Sequence, residues 1–126
     1  MNKFFFIVFI GWSSFEAQSL NNNVYLKNNT LHYYGKITEN NNEELFTAYH
    51  KASKKPSRLK ITSKGGDIKH GMALGKFVWK NKLDIEVGEY CLSSCANYVF
   101  TAGKRKILNQ TSTLGWHGGA ASENLI

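Results

Sequence analysis

A chain of 126 residues with a single proline, 42% hydrophobic and 20% charged, has room for one folded domain and excludes a disordered or fibrous protein. Sixteen Lys and Arg against nine Asp and Glu give a net charge of +7, yet the basic clusters at 51–60 and 104–106 lack interleaved aromatics. A groove for single-stranded nucleic acid needs such stacking platforms, so no nucleic-acid partner is expected and the lysines read as a solvated surface.

Residues 1–19 carry Lys3, an apolar run from Phe4 to Trp12 and the small-residue site Ala17-Gln18-Ser19, which together read as a secretory signal peptide cleaved near Ser19. A membrane-crossing helix needs about 20 apolar residues. The run falls well short of that, so the expectation is an exported protein, periplasmic or secreted, with no stable membrane span. A buried N-terminal strand is the alternative. Cleavage removes Lys3 and Glu16 together and leaves the charge at +7.

Residues 20–29 are Asn-rich and aperiodic and read as a polar linker, so the folded domain is expected over 30–126. Leu31 to Ile37 has the aromatic and branched composition of a strand. Asn40, with Glu43 three residues on, predicts a helix start, and Leu45, Ala48, Tyr49 and Ala52 share one face of the helix that Pro56 must end. Leu59 to Thr62 predicts a strand that runs through Ser63-Lys64-Gly65-Gly66 into a second helix, whose apolar stripe is Ile68, Met72, Gly75 and Trp79. Leu83 to Val87 predicts another strand, Cys91 to Cys95 a turn and Ala96 to Ala102 a short helix ended by Gly103. Ile107–Leu108 and Thr113 to Trp116 are shorter strand segments. Alternating strands and helices imply an α/β domain with a mainly parallel sheet.

Two strand-to-helix handovers and one histidine carry the candidate chemistry. Gly65-Gly66 permits a sharp turn with backbone N–H groups open to a ligand, although no nucleotide-loop pattern accompanies it and such a pair is more often a plain tight turn. Ser94 stands at the second handover, where backbone donors at a helix start suit a nucleophile, or where the serine simply caps the helix. His117 lies between Gly115 and the pair Gly118-Gly119, which leave its ring accessible. His32, His50 and His70 lack that setting and have no metal-ligand spacing, so neither a metal nor a cofactor is expected.

In order, Ser63-Lys64-Gly65-Gly66-Asp67, Cys91-Leu92-Ser93-Ser94-Cys95-Ala96, Thr101-Ala102-Gly103 and Gly115-Trp116-His117 resemble the proteolytic subunit of the Clp proteases. Within the Clp-protease and crotonase superfamily the chain is most similar to secreted bacterial members with a cysteine-flanked serine, over about Leu31 to Gly119. The resemblance implies repeated β-β-α units and a serine hydrolase acting on a peptide or another acyl substrate. It makes Ser94 the nucleophile, seven residues before Thr101-Ala102-Gly103, and His117 the general base. It further gives the backbone N–H groups of Gly66 and Cys95 as oxyanion donors. Homo-oligomers are expected of such a fold, whereas an ATP-driven unfoldase outside the cytoplasm would lack fuel and is not.

Three departures from the family stand out. The sequence ends at Ile126, before the segment in which the family supplies its acid, so a C-terminally truncated domain is expected; Asp67 and Asp84 do not match the acid's position, and Glu123 lies too close in sequence to His117. Lys64 replaces a frequent proline, and the Ser94-to-His117 connection is short. Cys91 and Cys95 have a spacing that permits a disulfide around the nucleophile, or they stay as two buried thiols. The competing functions are a non-catalytic binding or oligomerisation module and crotonase-type thioester chemistry, which export disfavours.

Overall fold

The structure, a computed structural model, describes residues 23–118; the signal-peptide reading of residues 1–19 and Glu123 lie outside them. It is a mixed α/β domain built on a six-stranded, mostly parallel sheet. Strands β1 (Val24–Lys27), β2 (Thr30–Tyr34), β3 (Arg58–Ser63) and β4 (Asp84–Leu92) lie side by side in that order. Two short strands, β5 (Lys106–Leu108) and β6 (Thr113–Gly115), pair one after the other with the N-terminal and C-terminal halves of β4.

Part of the expected linker is a strand. Asn28 and Asn29 take φ of 51° and 62°, which makes a two-residue turn of the hairpin kind and returns β1 antiparallel onto β2 with Leu26 opposite Leu31. Four residues between asparagines show no period, so this strand has no signature of its own.

Parallel neighbours need crossovers, and two helices supply them: α1 (Glu39–Lys51) joins β2 to β3, and α2 (Ile68–Lys80) joins β3 to β4. Thr38, not Asn40, caps α1, its hydroxyl accepting from the Asn41 N–H at 3.1 Å. Leu45 is fully buried under α1 while Ala48 and Tyr49 are half-buried, and the helix stops well short of Pro56.

Register explains the core. Leu31, Leu59 and Ile85 align across β2, β3 and β4, as do Tyr33, Ile61 and Val87, and all six are wholly buried on one face beneath Leu45, Leu74 and Val78. Each such side chain contributes about 1.5–3 kcal/mol by leaving water. The intervening row, His32, Lys60 and Glu86, lies on the opposite face, where Glu86 meets Arg58 at 2.9 Å and Lys60 at 3.3 Å.

Of the predicted stripe of α2 only Gly75 faces inward. Ile68, Met72 and Trp79 are 54%, 55% and 71% exposed, whereas Gly71, Leu74, Gly75 and Val78 form the buried face. The reason is packing distance: a Cβ at Gly71 would stand 2.8 Å from the Ser94 Cβ, and one at Gly75 would strike the Tyr98 carbonyl. Glycine, not bulk, lets α2 approach the segment after β4.

That segment differs from the expected short helix. Cys91 and Leu92 still belong to β4, and beyond Ser93-Ser94 the chain makes one π-helical turn (Cys95–Val99) and one 3-10 turn (Phe100–Ala102). Gly103 follows in extended conformation, with φ of −61°, rather than as a left-handed cap.

Candidate functional site

The site forms at the carboxyl ends of β3 and β4, the edge of a parallel sheet where ligands most often bind. After β3, Gly65 takes φ of +95° and its amide is held by the Ser63 hydroxyl at 3.0 Å. A side chain there would press on the Leu92 carbonyl and the Ser94 amide, so the two turns touch backbone to backbone. The Ile37 N–H donates to the Gly65 carbonyl at 2.9 Å, and Ile37 bridges to Gly66 like one more strand residue. Asp67 closes the loop by capping α2, its carboxylate accepting from the Lys69 N–H at 2.8 Å.

After β4, Ser93 takes φ of +55°, rare for a residue with a Cβ, and hands the chain to Ser94 at the start of the π-helical turn. The Ser93 N–H donates to the Gly115 carbonyl at 3.0 Å, which ties the turn to β6. Cys91 and Cys95, both wholly buried, are joined by a disulfide with Cα atoms 5.3 Å apart, closing a small ring around Leu92, Ser93 and Ser94.

Ser94 joins the two turns. Its Oγ accepts from the Gly66 N–H at 2.8 Å, and its own O–H donates to the Gly66 carbonyl at 3.0 Å. The residue is only 2% exposed, so this reciprocal pair is sheltered from competing water. The Gly66 amide expected as an oxyanion donor thus already lies within bonding distance of the expected nucleophile. Cys95 is the first residue of its turn, so its N–H is not spent on the turn's own hydrogen bonds.

His117 is exposed and lines, with Ser93, Ser94, Ile68, Asn97 and Tyr98, a cleft of about 70 Å3. Its Nδ1 lies 2.7 Å from the Gly118 carbonyl, which can only accept, so Nδ1 is the donor in that contact. Asn97 holds the histidine's backbone by donating from Nδ2 to the His117 carbonyl at 3.2 Å. The structure therefore brings Ser94, Gly66, Cys95 and His117 to one place, with the Ser94 hydroxyl bonded to Gly66 rather than to the imidazole.

Neither described carboxylate of the sequence reading is placed to orient His117. Asp67 is the α2 cap, and Asp84, at the other end of β4, is gripped by Arg105 through contacts of 2.6 and 3.1 Å. The hydrogen bond from Arg105 holds the Asp84 carboxyl below its ordinary pKa. Among the described residues no cluster of His, Cys, Asp and Glu could hold a metal ion, and no helix is long and apolar enough to cross a membrane.

Asn97, Tyr98 and Gly71 belong to the site and were not singled out by sequence. The first two lie within one turn of Ser94, and spacing alone could have raised them. Gly71 presses on Ser94 from α2, a contact that no local pattern encodes.

Comparison of the sequence with models of known protein families finds no match, and comparison with curated proteins finds none either. The class that the structure itself defines is a mixed α/β domain with a mostly parallel sheet.

Proposed function

We propose that this protein is an exported serine hydrolase of peptidase type, built on a fold of the Clp-protease and crotonase kind. Ser94 Oγ attacks the substrate carbonyl, Nε2 of His117 takes the hydroxyl proton and passes it to the leaving group, and water then releases the acyl group from Ser94. The N–H groups of Gly66 and Cys95 hold the oxyanion. The single observation that carries the reading is the 2.8 Å bond from the Gly66 N–H to Ser94 Oγ, in a cleft that His117 also lines. In this arrangement the serine must first turn away from the Gly66 carbonyl, which makes the present geometry a resting state. A backbone carbonyl, that of Gly118, fixes the tautomer, the task an acid performs in a complete triad.

A second reading rests on the same serine. Both of its hydrogen bonds go to Gly66 and it is almost wholly buried, which is how a structural pin between two turns behaves in a non-catalytic binding or oligomerisation module. Labelling with a fluorophosphonate probe separates the two. A hydrolase is expected to be labelled once per chain, and Ser94→Ala abolishes the label; a folded protein that takes no label, or that labels equally after Ser94→Ala, is the pin.

A further inference from the structure

The end of α2 away from Ser94 carries positive charge that the fold does not use. The helix ends in a Schellman arrangement: the Leu83 N–H donates to the Val78 carbonyl at 3.1 Å and the Lys82 N–H to the Trp79 carbonyl at 3.2 Å. The Phe77 carbonyl accepts from both the backbone and the side-chain nitrogen of Asn81, at 3.1 and 2.8 Å. These carbonyls need no lysine.

The end of α1 is the opposite case. There Lys55 Nζ donates to the carbonyls of Tyr49, His50 and Ala52 at 3.1, 2.7 and 3.1 Å and serves as the cap itself.

Lys80, Lys82 and Lys104, by contrast, make no ion pair and no side-chain hydrogen bond among the described residues. They line, together with the 71%-exposed Trp79 and with Thr101, Ala102 and Gly103, a cleft of about 400 Å3. That volume falls in the range of small-ligand pockets, about 300–1,000 Å3. Lys82 moreover sits at the left-handed position of the cap, φ +53°, where glycine or asparagine is the residue the backbone prefers. A long basic side chain stands there against backbone preference.

The geometry points to a binding site, at the junction of α2 and the 101–104 turn, for a carboxylate carried on an apolar or aromatic body. The indole and Ala102 take the body and the three ammonium groups take the charge. Two sources present this chemistry: a free organic acid, and the α-carboxylate of a peptide ending in a hydrophobic residue. The site stands apart from Ser94, and nothing in it depends on the hydrolase reading.

Titration calorimetry of the full chain with 2-naphthoate tests it. Saturable one-to-one binding is expected, with 2-naphthalenemethanol, the same ring without the charge, at least tenfold weaker. Lys82→Gly relieves the left-handed residue, so the variant is expected to keep or raise its Tm. Combined with Lys104→Gln it is expected to weaken naphthoate at least tenfold. Neutral and charged rings binding alike, or undiminished affinity in the folded double variant, overturns the proposal. A pentapeptide ending in phenylalanine distinguishes the sources. If its free-acid form displaces naphthoate and its amide does not, the ligand is a peptide terminus. If neither form displaces a naphthoate that binds, the ligand is a small organic acid.

Discussion

The turns after β3 and β4 do the same job by different means. Each must reverse the chain at the end of a central strand, each contains one residue with positive φ, and they pack directly on each other. The first uses Gly65, which takes that conformation without strain, and follows it with Gly66, whose missing side chain makes room for the Ile37 backbone. The second uses Ser93, which pays for its conformation, and is then held by the Cys91–Cys95 ring and the bond to Gly115. A turn made of glycine needs space; a turn made of serine needs fastening. The second kind is the one that presents a hydroxyl.

Three changes sharpen this contrast, from the largest effect down. Gly66→Ala forces a methyl into the Ile37 carbonyl, a backbone atom that cannot swing aside, and is expected to destabilise by about 3 kcal/mol in denaturant unfolding. A loss below about 1 kcal/mol would mean that the glycine loop is not confined by space. Reduction of the disulfide opens a short ring and is expected to cost roughly 2 kcal/mol, measured as the shift in urea midpoint with and without reductant. If no shift accompanies complete reduction, the π-helical turn holds without its fastening. Ser93→Gly acts in the other direction, since the left-handed conformation becomes free, and is expected to stabilise by about 1 kcal/mol. Destabilisation would assign the Ser93 side chain a contact beyond its backbone role.

Much of the sheet and both crossovers were legible because branched residues alternate in β3 and the N-terminal half of β4, and because Leu45 and Tyr49 keep a helical period. The hairpin strand β1 was hidden by its asparagines, which promote the turn at Asn28-Asn29 as readily as they promote a linker. The outward stripe of α2 was misread for a related reason. Burial there is carried by Leu74 and Val78, with Gly71 and Gly75 giving the close approach, while Ile68, Met72 and Trp79 supply a competing helical period on the wrong side. Gly66, Ser94 and His117 stood out in their local settings, whereas Cys95 entered as an oxyanion donor only through the family resemblance. The bonds between Gly66 and Ser94 join residues 28 apart in sequence and belong to the register of β3 with β4, which local pattern does not specify.

That register shifts by two residues between Ile61 and Ser63, where β4 bulges near Gly88. Side chains brace the bulge: the Glu89 N–H donates to Thr62 Oγ1 at 3.0 Å, and the Ser112 hydroxyl lies within donating distance of the Gly88 and Val87 carbonyls, at 2.7 and 3.1 Å. Ser112 occupies the interval between β5 and β6, so the flank of β4 offers no uninterrupted row of free amides and carbonyls at that point. A foreign strand seeking to extend the sheet there meets two three-residue segments and a serine plug. The break that sets the spacing of the serine turn also leaves the flank of β4 a poor template for an added strand.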